Sequence, residues 1–267
     1  MLFSDHPRTH YENAPAHEVI CQLRFPTILT INNVEPADFQ EAIRDTFPQY
    51  ARRQDQPAPK ITGAGTPNMQ VERPAPITNY HFLSADNRWK LNVTRDFIAL
   101  STLNYPGWEE FARHLDKALA AFIQIYKPAY FQRVGLRYVN LFSRAKLGLE
   151  DVPWAELFTP AYVGALAEAD LREADCLNYG TDLQLKLDNS CRGKVHAGLA
   201  RIQNKVPGAP QDPEVKFILD MDLSMSGNIP CTMAAGALET LHIHGGRLFE
   251  GALTDRLRSA LSSPRDV

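Results

Sequence analysis

The chain has 267 residues, 44% of them hydrophobic, enough to bury one large core or two packed halves. Charged residues make up 22% and the formal net charge is −3, so the basic excess that phosphate neutralisation demands of a free nucleic-acid binder is missing. No apolar run reaches the roughly 18 residues of a membrane helix, and Met1 to Pro7 has neither a basic nor an apolar leader stretch, so a cytoplasmic location is expected.

Residues 1–14 read as a polar, irregular arm. From His17 to Phe25 the chain alternates, with Val19, Cys21, Leu23 and Phe25 on one side, which predicts a half-buried strand. Glu35-Pro36 opens a short helix through Phe47, striped by Phe39, Ile43 and Phe47. Residues 51–77, with Pro57, Pro59, Pro67, Pro74 and Pro76, read as a long loop. Three strands follow at 79–85, 88–94 and 97–103, joined by two-residue turns at Asp86-Asn87 and Arg95-Asp96. Pro106 is placed in the first turn of the next helix, whose stripe is Trp108, Phe111, Leu115, Leu119 and Phe122.

The same order then recurs. Phe131–Phe142 reads as a strand, 152–171 as helical with a break near Pro160, and 175–188, 194–204 and 214–223 as strands. Pro207 to Pro213 is a second proline-rich loop, and Met233–Ser262 gives the longest helical pattern. Within that helix Gly245-Gly246 implies either a close neighbour or a kink. A short sequence echo supports duplication: Pro15-Ala16 leads to Leu23-Arg24-Phe25 as Pro128-Ala129 leads to Leu136-Arg137-Tyr138. The predicted fold is α+β: an arm (1–14), a β-α-β-β-β-α half (15–127) and a second such half (128–267) packed tightly on it. Its sheets are antiparallel and covered by helices on one face, as a curved sheet or a barrel.

The alternation also assigns an open face. Opposite the apolar set lie Arg24, Arg137, Arg133, Lys186, Lys194, His196 and Lys216, candidates for binding an anionic ligand through bidentate or point-charge contacts. A solvated face of an antiparallel sheet gives the same pattern. Asp220 and Asp222, about 6–7 Å apart along one strand, form a candidate divalent-metal pair if other oxygens join them. His242 and His244 are two apart on a helix and cannot chelate one ion together. The four cysteines are widely spaced, as expected of free thiols. No Gly-x-Ser-x-Gly, Walker A or Gly-x-Gly-x-x-Gly pattern is present, and Gly63-Ala64-Gly65 falls in a loop.

Four stretches carry a family resemblance: Ala14–Phe25, Val134–Asn140, Phe217–Asp222, and Leu241-His242 followed by Leu248-Phe249-Glu250 and Leu253-Thr254. Together the chain resembles a sporadically distributed family of bacterial proteins of about this length, with Gly-Leu-Arg-Tyr-Val-Asn as the most specific segment. That family has no assigned activity. The resemblance implies a bacterial origin and a single full-length unit, and supplies no catalytic residues.

Three functions are compatible with these features. The favoured one is a binding or accessory protein that uses the open face and the proline-rich loops to recognise another protein or a small anionic ligand, with no cofactor and as a possible homo-oligomer. The second is a Mg- or Mn-dependent phosphate- or nucleotide-processing enzyme like a triphosphate tunnel, although its Glu-x-Glu-x-Lys signature is missing. The third is a nucleic-acid-binding saddle, disfavoured by charge and by the lack of aromatics at regular open-face positions.

Overall fold

The computed structural model describes residues 2–7, 9–63, 65–66, 69–202 and 212–263. Pro67 and most of the second proline-rich loop lie outside the described residues, as does the end of the strand placed at 194–204. In chain order the elements are β1 (Ala16–Arg24), α1 (Thr30–Asn33), α2 (Ala37–Ile43), β2 (Gln49–Asp55), β3 (Lys60–Thr62), β4 (Gln70–Glu72), β5 (Ile77–Leu83), β6 (Trp89–Val93), β7 (Phe97–Thr102) and α3 (Trp108–Tyr126). They continue as β8 (Phe131–Phe142), α4 (Arg144–Leu147), α5 (Trp154–Leu157), α6 (Pro160–Val163), β9 (Gly180–Lys186), β10 (Cys191–Arg201), β11 (Val215–Ile229), α7 (Ala234–Ala252) and α8 (Asp255–Ser262). No helix among the described residues is long and apolar enough to cross a membrane.

The chain divides into two compact units. One, called N-terminal here, comprises 20–134 and 227–235; the other, C-terminal, comprises 1–19, 135–226 and 236–267. The division departs from the predicted halves at the start of the chain, and at 128–134 and 227–235, which belong to the N-terminal unit. The arm belongs with the C-terminal unit because its backbone is bonded there: Ser4 N–H to Arg247 O, Asn13 N–H to Leu261 O, and Pro15 O from Leu141 N–H.

Strand order in the N-terminal unit is β2-β5-β6-β7-β1, and in the C-terminal unit β8-β11-β10-β9. Leaving out β2, the two orders are the same once β1, β7, β6 and β5 are matched to β8, β11, β10 and β9. A long helix follows the last strand of each set, α3 after β7 and α7 after β11. The duplication is therefore topological as well as local. The β5-β6-β7 and β9-β10-β11 ladders are antiparallel, and neither described order closes into a barrel.

The N-terminal unit departs from prediction in the proline-rich stretch 51–77. Residues 49–55 pair along the whole of β5 as an edge strand, and β3 and β4 form a separate hairpin. Prolines therefore flank these strands (Pro48, Pro57, Pro59, Pro74, Pro76) instead of interrupting them. The hairpin at Arg95-Asp96 is the expected two-residue turn, closed by Thr94 N–H to Phe97 O. The other is wider: Ser84 N–H bonds Trp89 O across four residues, with the Asp86 carboxylate accepting from Ser84 Oγ and Arg88 N–H. Pro106 precedes the helix instead of entering it, because Gly107 at φ 149° is the N-cap of α3. Phe111, Leu115, Ala118, Leu119 and Phe122 form the buried stripe of α3, meeting Phe25, Phe39 and Trp89.

In the C-terminal unit Phe217, Leu219, Met221 and Leu223 of β11 are buried while the residues between them are half-exposed. Phe217 stacks on Phe158 at 4.2 Å and lies 5.5 Å from Trp154. The predicted single C-terminal helix is two. Ala252, Leu253 and Thr254 bond instead to the 157–159 segment (Thr159 N–H to Ala252 O, Thr254 N–H to Leu157 O), and Thr254 then caps α8. Gly245 resolves its two alternatives: α7 runs on unbroken, and a Cβ there would sit 3.3 Å from the Tyr138 ring.

Candidate functional site

Along β9, β10 and β11 the ladder register places the open-face residues in rows. Asp182, His196 and Asp220 form one row; Gln184, Lys194 and Asp222 form the next. Arg137 of β8 extends the first row, donating Nε–H to Asp220 Oδ1 (2.8 Å) and Nη2–H to Oδ2 (2.5 Å). His196 Nδ1 lies 2.9 Å from Asp182 Oδ1. On the side away from Lys194 the neighbouring row is glycine on both strands, Gly180 opposite Gly198. Arg137, Asp182, Gln184, Lys194, His196, Asp220 and Asp222 line an open depression of about 530 Å³.

The register explains why these groups gather. Strict alternation on three adjacent strands sends every even-numbered residue of β9, β10 and β11 to one side, and antiparallel pairing aligns them laterally. Acidic and basic groups then alternate along the first row: carboxylate, imidazole, carboxylate, guanidinium. Asp220 holds the Arg137 guanidinium further into its charged form, chiefly by the bidentate hydrogen bond, with Asp222 and Glu18 adding attraction.

Of the residues expected on an open face, Arg137, Lys194, His196, Asp220 and Asp222 come together. Lys186 lies one row beyond Gln184, opposite Arg192, outside the depression. Lys216 stands two rows from Asp220, about 13 Å along the strand, and is tied to Asp212 and Glu214. Arg24 and Arg133 belong to the N-terminal unit. Arg24 donates to Gln22 Oε1 of its own strand at 2.8 Å, so the twin arginines occupy equivalent strands in unlike surroundings. The reason is the neighbouring strand: β11 carries Asp220 and Asp222, whereas β7 carries Ala99 and Ser101 and no carboxylate. Asp182 joins them unexpectedly, although its alternation with Gln184 marks it for the same face.

The N-terminal unit also differs in that β5 is buried on both sides. Asn79 and His81, which alternate with Tyr80 and Phe82, are 6% and 7% exposed. Asn79 bridges Asp55 (2.6 Å) and Asn92 (3.0 Å). His81 Nε2 is buried with no hydrogen-bond partner, and burial, with Lys90 and Arg53 nearby, lowers its pKa.

The two helix histidines part company as expected. His242 Nδ1 meets the Tyr138 hydroxyl at 2.6 Å in the core, while His244 Nε2 lies 3.0 Å from Asp188 Oδ2. Asp188, Cys191 and His244 are the one group of three or more metal-competent side chains among the described residues, with ligand atoms all within 4.8 Å of one another. The sequence hid this group because His244 reaches it from a different element. All four cysteines are free, and burial raises the thiol pKa of Cys21 and Cys231, and that of Cys191 to about 11.

No protein-family model matches the chain, and no curated protein matches it.

Proposed function

We propose that the open face of the C-terminal unit binds a small polar ligand bearing a carboxylate or phosphate, in an accessory rather than a catalytic role. The observation carrying this reading is the depression itself, where exposed Lys194 and Arg137 and half-exposed His196 offer donors to an anion. Asp182 and Asp222 flank them and would accept from hydroxyl or amino groups on the same ligand, which favours a zwitterion or polyol phosphate over a bare anion. Among the described residues that line it there is no serine, threonine or cysteine to act as a nucleophile. The magnesium- or manganese-dependent alternative fares less well on this geometry, since Asp220 would have to leave Arg137 to share an ion with Asp222.

Thermal-shift measurements with phosphorylated and carboxylated small molecules test this. A ligand at about 100 times its Kd stabilises by roughly 2.7 kcal/mol, and Lys194→Ala with His196→Ala should remove that shift while leaving the unliganded melting temperature near its original value. A stabilising anion whose effect survives the double substitution would refute the site.

A further inference from the structure

We propose that Asp188, Cys191 and His244 form a binding site for a zinc-class divalent cation. The inference is independent of the ligand reading, because none of these three residues lines the depression.

The turn between β9 and β10 builds two of the ligands. Asp188 Oδ1 accepts from Ser190 N–H and Cys191 N–H, each at 2.7 Å, and from Ser190 Oγ at 3.0 Å. Those bonds fix the carboxylate and leave Oδ2 directed at His244 Nε2, 3.0 Å away on α7. The Cys191 Sγ lies within 4.8 Å of both the carboxylate and the imidazole nitrogen. A carboxylate oriented by backbone donors is the support that metal ligands receive from their surroundings. Four-coordinate zinc with bonds of about 2.0–2.3 Å sets its ligand atoms roughly 3.3–3.8 Å apart. The observed atoms span 3.0 Å to at most 4.8 Å, so shifts of well under 1 Å bring all three onto one ion.

The donor set decides the ion. A thiolate with an imidazole selects zinc-class metals over magnesium or calcium, which want oxygen cages. Three protein ligands leave a fourth position, and the Asp188 side chain, 38% exposed, opens that side to water. Binding replaces the thiol proton, which leaves to solvent, and breaks the Asp188–His244 hydrogen bond. Without a metal the trio is a latch between the turn and α7, which is the competing explanation.

Cobalt(II) titration of the full chain separates the two. The site predicts 1:1 binding with a near-ultraviolet thiolate-to-cobalt band and visible bands of tetrahedral intensity, both displaced by zinc. Zinc at about 100 times its Kd should raise the melting temperature by roughly 5 °C or more. Cys191→Ser should abolish the charge-transfer band, and His244→Asn, which spares the buried cysteine, should weaken cobalt binding at least tenfold. Absence of the band at stoichiometric cobalt, or an equal band in folded Cys191→Ser, would overturn the proposal and leave the latch.

Discussion

The Arg137–Asp220 pair is the hinge of the candidate site, and its energy follows from its exposure. The side chains are 46% and 16% exposed, respectively. Two unit charges about 4 Å apart attract by roughly 4 kcal/mol at an effective dielectric of 20. Desolvation and side-chain ordering remove most of that, so exposed pairs retain about 0.2–1 kcal/mol while hydrogen bonds to charged groups are worth about 1.5–3 kcal/mol. A bidentate pair with one half-solvated partner should fall between, at a coupling of about 1 kcal/mol. The two single substitutions should also be unequal. Arg137→Met strands a mostly covered carboxylate, whereas Asp220→Asn leaves a guanidinium that water already reaches, so the first should cost more. Urea unfolding of the two single variants and the double variant, at low salt and near 1 M salt, measures both quantities. The coupling should shrink with salt without vanishing. A coupling below about 0.3 kcal/mol, or a costlier Asp220→Asn, would show that the pair does not organise this face.

Phe217→Ala removes a fully buried ring that stacks on Phe158 and lies tilted against Trp154, and should cost about 3–5 kcal/mol in chemical denaturation; a loss under 1.5 kcal/mol would mean that this aromatic cluster is loosely packed. Gly198→Ala puts a Cβ 2.4 Å from the Tyr179 carbonyl oxygen and 2.8 Å from Gly180 Cα, both backbone. It should detach the start of β9, visible as faster amide exchange at Leu199, whose N–H bonds Tyr179 O, and unchanged protection there would contradict the contact. His81 has a lowered pKa in the folded state, so the unfolded chain binds its proton first and stability falls as pH drops below about 6.5. His81→Gln should flatten that part of the stability–pH curve, and an unaltered slope would remove His81 from the acid response.

How much of this was legible in the sequence depended on how local each cause was. Period-two alternation depends only on which side of a strand is covered, so β1, β8, β10 and β11 were readable, as were the stripes of α2 and α3. The repeated Leu-Arg-aromatic segment marked matching strands, and their pairing orders match. Proline density misleads at 51–55, because the prolines flank this edge strand instead of entering it. The C-terminal helix was overextended because its break comes from backbone bonds to residues 157–159, distant in the chain, although Thr254-Asp255 already spelled a cap.

The candidate site divides along the same line. Alternation alone determined that Arg137, Lys194, His196, Asp220 and Asp222 share a side of their strands, since a pleated chain permits no other arrangement. Only the folded ladder decided that Asp220 takes Arg137, that Lys216 is drawn off by Asp212 and Glu214, and that Arg24 turns to Gln22 of its own strand. Lateral neighbours come from strand order and register, which join residues dozens of positions apart. The meeting of Asp188, Cys191 and His244 is of that second kind: a turn can place an aspartate beside a cysteine three residues on, but only packing brings a helix histidine to them.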